Sequence, residues 1–150
     1  MNAPGIDQAI SDIEQDFALL PDWEERIAYL IDLGRALAPL HDSERVEANR
    51  VRGCASQVWL VRDADPAPNT GAGALHFRGD SDAHLVKGEI ALLLRIFSER
   101  TPAEILSVDP HAVFARLGLK DALTAQRSNG LFAMMNRIQA DARAATASGT

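Results

Sequence analysis

Ile6, Ile10, Ile13, Phe17 and Leu20 recur at steps of three and four from the start of the chain. That period is the stripe of an amphipathic helix, and Pro21 predicts its end. Asp22 with Glu25 three residues on resembles a capping box, so a second helix is expected, with Ile27, Leu30, Ile31, Gly34 and Leu37 on one stripe before Pro39. From His41 to Arg50 the chain is polar and charged, as in a loop or frayed turn. The period then changes. Val58-Trp59-Leu60-Val61 is rich in β formers, and Leu75 and Phe77 alternate with His76 and Arg78, which predicts two paired strands. A third strand through Ala48 to Arg52 would complete the sheet, since two strands alone are marginally stable. Between the pair, Asp63 to Gly73 has the Pro, Gly and Asn content of an exposed, mobile connection.

Gly79-Asp80-Ser81-Asp82 reads as a turn that caps the next helix, and Leu85 to Phe97 is apolar nearly all round, as expected of a helix buried on several sides. Thr101-Pro102-Ala103-Glu104 places an N-cap, a proline at the first helical position and a glutamate at the third. Asp109-Pro110 repeats the device for a helix ended by Gly118. Leu131, Met134, Met135 and Ile138 stripe a last helix opened by Ser128 or Asn129, with Ala144 to Thr150 fraying. There is no internal repeat. The pattern is α+β, with helices packed against a small antiparallel sheet of about three strands in one domain over residues 1–150.

Composition narrows the partners. Apolar residues at 47% and charged residues at 24% are ordinary for a soluble globular chain. Fifteen basic against twenty-one acidic residues give a net charge of −6 with no Lys/Arg run, which argues against nucleic acid. Met1 to Gly5 shows no positive region leading into an apolar run, and Lys87, Glu89 and Arg95 interrupt the most apolar stretch. A cytoplasmic protein without a membrane segment is expected. Its single cysteine forms no internal disulfide, in keeping with a reducing compartment.

That cysteine, Cys54, stands between Gly53 and an apolar strand-like run. Cysteine is usually a small buried hydrophobe, and core filler is the plain reading. Gly53 permits a tight bend, however, and Arg52, Ser56 and Gln57 make the surroundings polar, which favours a presented thiol. One cysteine and four scattered histidines, His41, His76, His84 and His111, contain no zinc-type pair, and no phosphate-binding glycine loop is present. A Cys–His hydrolase remains open, because any of these histidines could fold beside Cys54, although isolated histidines are more often structural. Asp80 and Asp82 could be paired catalytic carboxylates, but capping accounts for them, and Met134 and Met135 read as core. What remains is thiol exchange. A thiolate attacks a sulfur with a good leaving group, and without a resolving cysteine the sulfur accepted must leave to another molecule.

Gly53-Cys54-Ala55-Ser56-Gln57-Val58-Trp59-Leu60, Gly79-Asp80-Ser81-Asp82-Ala83, Val86-Lys87-Gly88 and Gln126-Arg127-Ser128-Asn129-Gly130-Leu131 resemble, in that order, motifs of the SufE family of cysteine desulfuration proteins. The resemblance runs from the helix of Trp23-Glu24-Glu25 to the last helix. It implies a fold related to the IscU-type cluster scaffold and a sulfur acceptor with no independent turnover. Cys54 would take persulfide sulfur from a cysteine desulfurase, SufS-like or related, stimulate it, and pass the sulfur to an iron–sulfur scaffold or another acceptor. The chain would need no cofactor of its own, the PLP belonging to the desulfurase. Arg127 matches the arginine of the family's Arg-Ser-x-Gly element, either near the acceptor loop to favour the thiolate or as an anchor of the last helix. Asp82 would influence how readily the Cys54 loop opens. Ala122-Leu123-Thr124-Ala125 replaces the His-Leu-Ser/Thr-Pro common in the family, so no role of that histidine carries over. The alternative is an allosteric regulator of a desulfurase that carries no sulfur.

Overall fold

The helix over His84–Phe97 buries Val86, Ile90, Leu92, Leu93, Ile96 and Phe97 in the computed structural model, and helices and strand pack on it from several directions. Residues 5–63, 73–119 and 123–149 are described, the last three without their side chains. In chain order the elements are α1 (Ile6–Ala18), α2 (Trp23–Arg35), β1 (Val58–Arg62), β2 (Phe77–Ser81), α3 (His84–Phe97), α4 (Pro102–Leu106), α5 (Pro110–Leu117) and α6 (Ala125–Gly149). This is the α+β arrangement that the periodicities predict.

α1 buries Ile6, Ile10, Ile13 and Phe17, the stripe read from the sequence. Asp22 starts α2 by accepting the Glu25 N–H at 2.9 Å. The reciprocal box forms at α4, where Thr101 accepts from the Glu104 N–H at 3.2 Å and Glu104 accepts from the Thr101 N–H at 2.9 Å. Gly118 ends α5 at φ 66°, a left-handed conformation that suits glycine. Only Leu30 and Gly34 of α2 are fully buried, while Ile27, Ile31 and Leu37 lie half-buried along its edge. Helix α2 meets α3 backbone to backbone: a Cβ on Gly34 would lie 2.7 Å from the Gly88 nitrogen, and one on Gly88 would collide with the Leu30 carbonyl.

The sheet has two strands among the described residues, antiparallel, with Val58 opposite Ser81 and Arg62 opposite Phe77. The third strand expected through Ala48 to Arg52 is reduced to one bridge between Arg50 and Trp59, and Glu47–Asn49 is a 3-10 turn. The cause lies in α6. Arg137 donates to the carbonyls of Ala48 at 3.0 Å and Arg50 at 3.2 Å, so these acceptors serve a helix and not a ladder.

Gly79-Asp80-Ser81 is likewise strand and not turn, because pairing with β1 overrides the local turn preference of these residues. Gly79 makes room for that packing: a Cβ there would lie 2.8 Å from side-chain carbons of both Ile90 and Leu60. Helix α3 then starts at Ala83 with no side-chain cap. Helix α6 begins three residues before the expected Ser128, since the Thr124 hydroxyl accepts from the Arg127 N–H at 3.2 Å and its carbonyl from the Ser128 N–H at 3.0 Å. It continues through the alanine-rich stretch expected to fray, as high helix propensity allows. The connection predicted over Asp63 to Gly73 falls at residues 64–72 outside the described residues.

Candidate functional site

Residues 51–57 form a loop closed at its base, where the Val51 N–H donates to the Val58 carbonyl at 2.8 Å. Gly53 turns the chain at φ 91°, and a Cβ added there would sit 3.3 Å from that of Ala133 on α6, so the bend requires glycine for its conformation and leaves little space. The loop end is gripped by the residues after Gly79. Gln57 accepts from the Ser81 hydroxyl at 2.6 Å and donates its N–H to Asp82 Oδ1 at 3.1 Å. Asp82 therefore holds the loop, and Ser81 ties it to the start of α3, its hydroxyl also accepting from the Ala83 N–H at 3.2 Å. Arg137 fixes the segment before the loop to α6.

Cys54 is half-buried at the turn, its thiol donating to the Gly130 carbonyl at 3.6 Å. It lines a cavity of about 80 Å³ with Ala55, Ser56, Val86, Glu89, Gln126, Arg127, Gly130 and Met134. Burial pushes the thiol up from its ordinary value, the Glu89 charge adds to the rise, and Arg50 opposes it. Both the core-filler and the presented-thiol readings thus hold part of the answer, because Cys54 packs beside the hydrophobic core and also opens on a cavity.

Glu89 is the residue that the sequence reading missed. It is 1% exposed, and its Oε2 has no hydrogen-bond partner. Burial lifts its carboxyl from 4.5 to about 7, against the opposing pull of Arg127. A lone glutamate in a segment apolar all round was the available signal, since such a side chain must either reach solvent or enter a site.

Arg127 is brought to the cavity, exposed on the first turn of α6, and its charge bears on Glu89. The cation bearing on the thiol is instead Arg50. Asp82 is exposed and stands outside the cavity lining, acting on the loop through Gln57. Asp80 is buried beside Arg45 at 2.8 Å and Lys87 at 3.5 Å, a structural ion cluster separate from the cavity. No histidine lines the cavity among the described residues: His111 stacks on Phe132, and His76 faces Asp63 and Glu99. Nor does any group of three or more His, Cys, Asp or Glu stand together to hold a metal ion among those residues.

The loop geometry makes a first prediction. Asp82→Ala removes one exposed hydrogen bond from the loop, worth about 1 kcal/mol or less, so alkylation of Cys54 in the free protein should accelerate about two- to fivefold. An unchanged rate in an iodoacetamide time course would show that Asp82 does not restrain the loop.

The model of a domain described as "SufE: Fe-S metabolism associated domain" matches residues 11–142. The chain belongs to the SufE family. An uncharacterized SufE-like protein of Rhizobium etli is 42% identical over 135 residues, covering 90% of each chain. Another, of Rhizobium meliloti, is 42% identical over 139 residues, covering 89% of this chain and 94% of the relative. A solution structure of a hypothetical protein from Thermus thermophilus shares the fold with a TM-score of 0.73 at 26% identity, over 99% of this chain and all of that one. Membership of the SufE family implies sulfur transfer in partnership with a cysteine desulfurase. No helix is long and apolar enough to cross a membrane among the described residues.

Proposed function

We propose that Cys54 accepts the outer sulfur of a persulfide on a PLP-dependent cysteine desulfurase, increases that enzyme's turnover by clearing it, and delivers the sulfur to iron–sulfur cluster assembly in the cytoplasm. The observation that carries the reading is the position of the chain's single thiol on a pinned loop, facing a cavity of about 80 Å³. A second sulfur atom fits in that volume. The thiolate is the attacking species, and with no second cysteine in the chain the product persulfide has no internal route to a disulfide. Half-burial and a raised thiol pKa keep the resting residue poorly reactive, which protects it from over-oxidation and requires the loop to move when the partner docks.

Incubation with a desulfurase and free cysteine should add one sulfur to the intact mass of this chain, and Cys54→Ser should abolish the adduct together with most of the stimulation of desulfurase turnover. Absence of the adduct on the wild-type chain sinks the carrier reading. The same half-buried, raised thiol would suit an allosteric regulator that carries no sulfur. In that case Cys54→Ala would stimulate the desulfurase as well as the wild type does.

A further inference from the structure

We propose that Glu89 is the proton acceptor for Cys54 when the thiol takes up sulfur. The proposal rests on the carrier reading above and assigns to α3 a part in the chemistry of the loop. A buried carboxyl whose Oε2 has no partner costs free energy, and an aliphatic side chain on this apolar helix would carry no such cost. Yet Glu89 lines the same small volume as Cys54.

The charges around it are few. From the loop the titratable neighbour is Cys54, with Arg50 bearing on that thiol; from α6 it is Arg127. Helices α1 and α2 and strand β2, which also pack on α3, place no charged group on the cavity among the described residues. A carboxylate and a thiolate in the same small cavity repel, so ionisation of Cys54 is favoured when its proton passes to Glu89, directly or through one water. Near neutral pH Glu89 is divided between its two forms while the thiol is held protonated, an arrangement suited to a base that receives the proton only as sulfur attacks.

The step balances. Glu89 carboxylate takes the Cys54 proton, Sγ attacks the outer sulfur of the desulfurase persulfide, and the donor S–S bond breaks as the new one forms. The products are the Cys54 persulfide, the desulfurase thiolate and protonated Glu89, which later releases its proton to solvent. One negative charge is conserved, and no oxidant or reductant takes part.

The test is single-turnover transfer from a persulfide-loaded desulfurase to this protein, followed by intact mass between about pH 6 and 9.5, a range that brackets the carboxyl. The wild-type rate should rise through about pH 7 and level off. Glu89→Gln should be slower by about 100-fold at pH 7 and should recover steadily with pH as the thiol ionises unaided. Independently, iodoacetamide alkylation of free Glu89→Gln should show a thiol midpoint at lower pH than wild type, because the carboxylate charge is gone. Glu89→Asp, which keeps a carboxyl, should retain the inflection at an intermediate rate, and it carries the test if Glu89→Gln does not fold. A Glu89→Gln profile that matches wild type, or that is lowered equally at every pH, overturns the assignment, as does loss of the inflection in Glu89→Asp. Failure of wild type itself to take up sulfur removes the carrier reading and this one with it, a result distinct from normal transfer by both proteins.

Discussion

Gly88→Ala should destabilise the protein by about 3 kcal/mol or more, seen as a drop in the urea midpoint at unchanged slope. The reason is local and steric. A methyl on Gly88 would occupy the position of the Leu30 carbonyl, and backbone cannot turn aside as a flexible side chain can. Relief would require α2 and α3 to separate, which would loosen the packing of Leu30 against the central helix. Gly34→Ala faces the same contact from the other side, with Gly88 N and Lys87 C at 2.7 and 2.9 Å, and should cost nearly as much. The control is Gly5→Ala, where a Cβ meets nothing within 4 Å and the change should cost no more than about 1 kcal/mol, that of placing alanine at the α1 N-cap. Equal stabilities for Gly88→Ala and Gly5→Ala would mean that the two helices are not held at backbone contact. Because α3 also carries Glu89 and follows Asp82, a Gly88→Ala protein that still folds should transfer sulfur more slowly than its residual stability accounts for.

Helices were legible from the sequence wherever burial is one-sided. The α1 stripe, the Thr101 box and the Gly118 terminus each depend on a local pattern that tertiary contacts reinforce. Reading failed where a distant partner decides the local structure. Ala48 and Arg50 have neighbours fit for a strand, but their carbonyls are taken by Arg137 from far along the chain. Gly79-Asp80-Ser81-Asp82 has the composition of a capping turn, yet cross-strand pairing makes most of it strand and the Gln57 backbone draws Ser81 and Asp82 to the cysteine loop.

The site shows the same division. Cys54 stood out because a thiol is chemically distinctive and its glycine neighbour is conformationally necessary. Glu89 did not, because within α3 it served only as a charge interrupting an apolar run. Its significance appears when the helix is seen to bring that carboxyl to the cavity of the loop thiol, and no spacing in the chain encodes that meeting of residues 54, 89 and 127.

Stability should fall as pH rises from about 4.5 to about 7, and Glu89→Gln should remove that loss. The unfolded chain releases the Glu89 proton near 4.5, whereas the folded state holds it until about 7. Between these values the folded state binds more protons, so raising the pH favours unfolding; the contribution is intact below 4.5 and fully lost above 7. A displacement of this size corresponds to about 3 kcal/mol. Glu44 and Asp80 titrate in the opposite sense, their carboxyls held low by Arg78 and, against burial, by Arg45, but they are common to both proteins and cancel in the difference. Urea unfolding at about pH 4.5 and about pH 8 should therefore give nearly equal stabilities for the two proteins at the lower pH and a more stable Glu89→Gln at the higher. Parallel curves would mean that the Glu89 carboxyl is solvated or paired in the folded state. A divergence alongside the loss of transfer near neutral pH would identify a residue whose ionisation costs stability at the pH where it serves the thiol, as expected of a group retained for chemistry and not for packing.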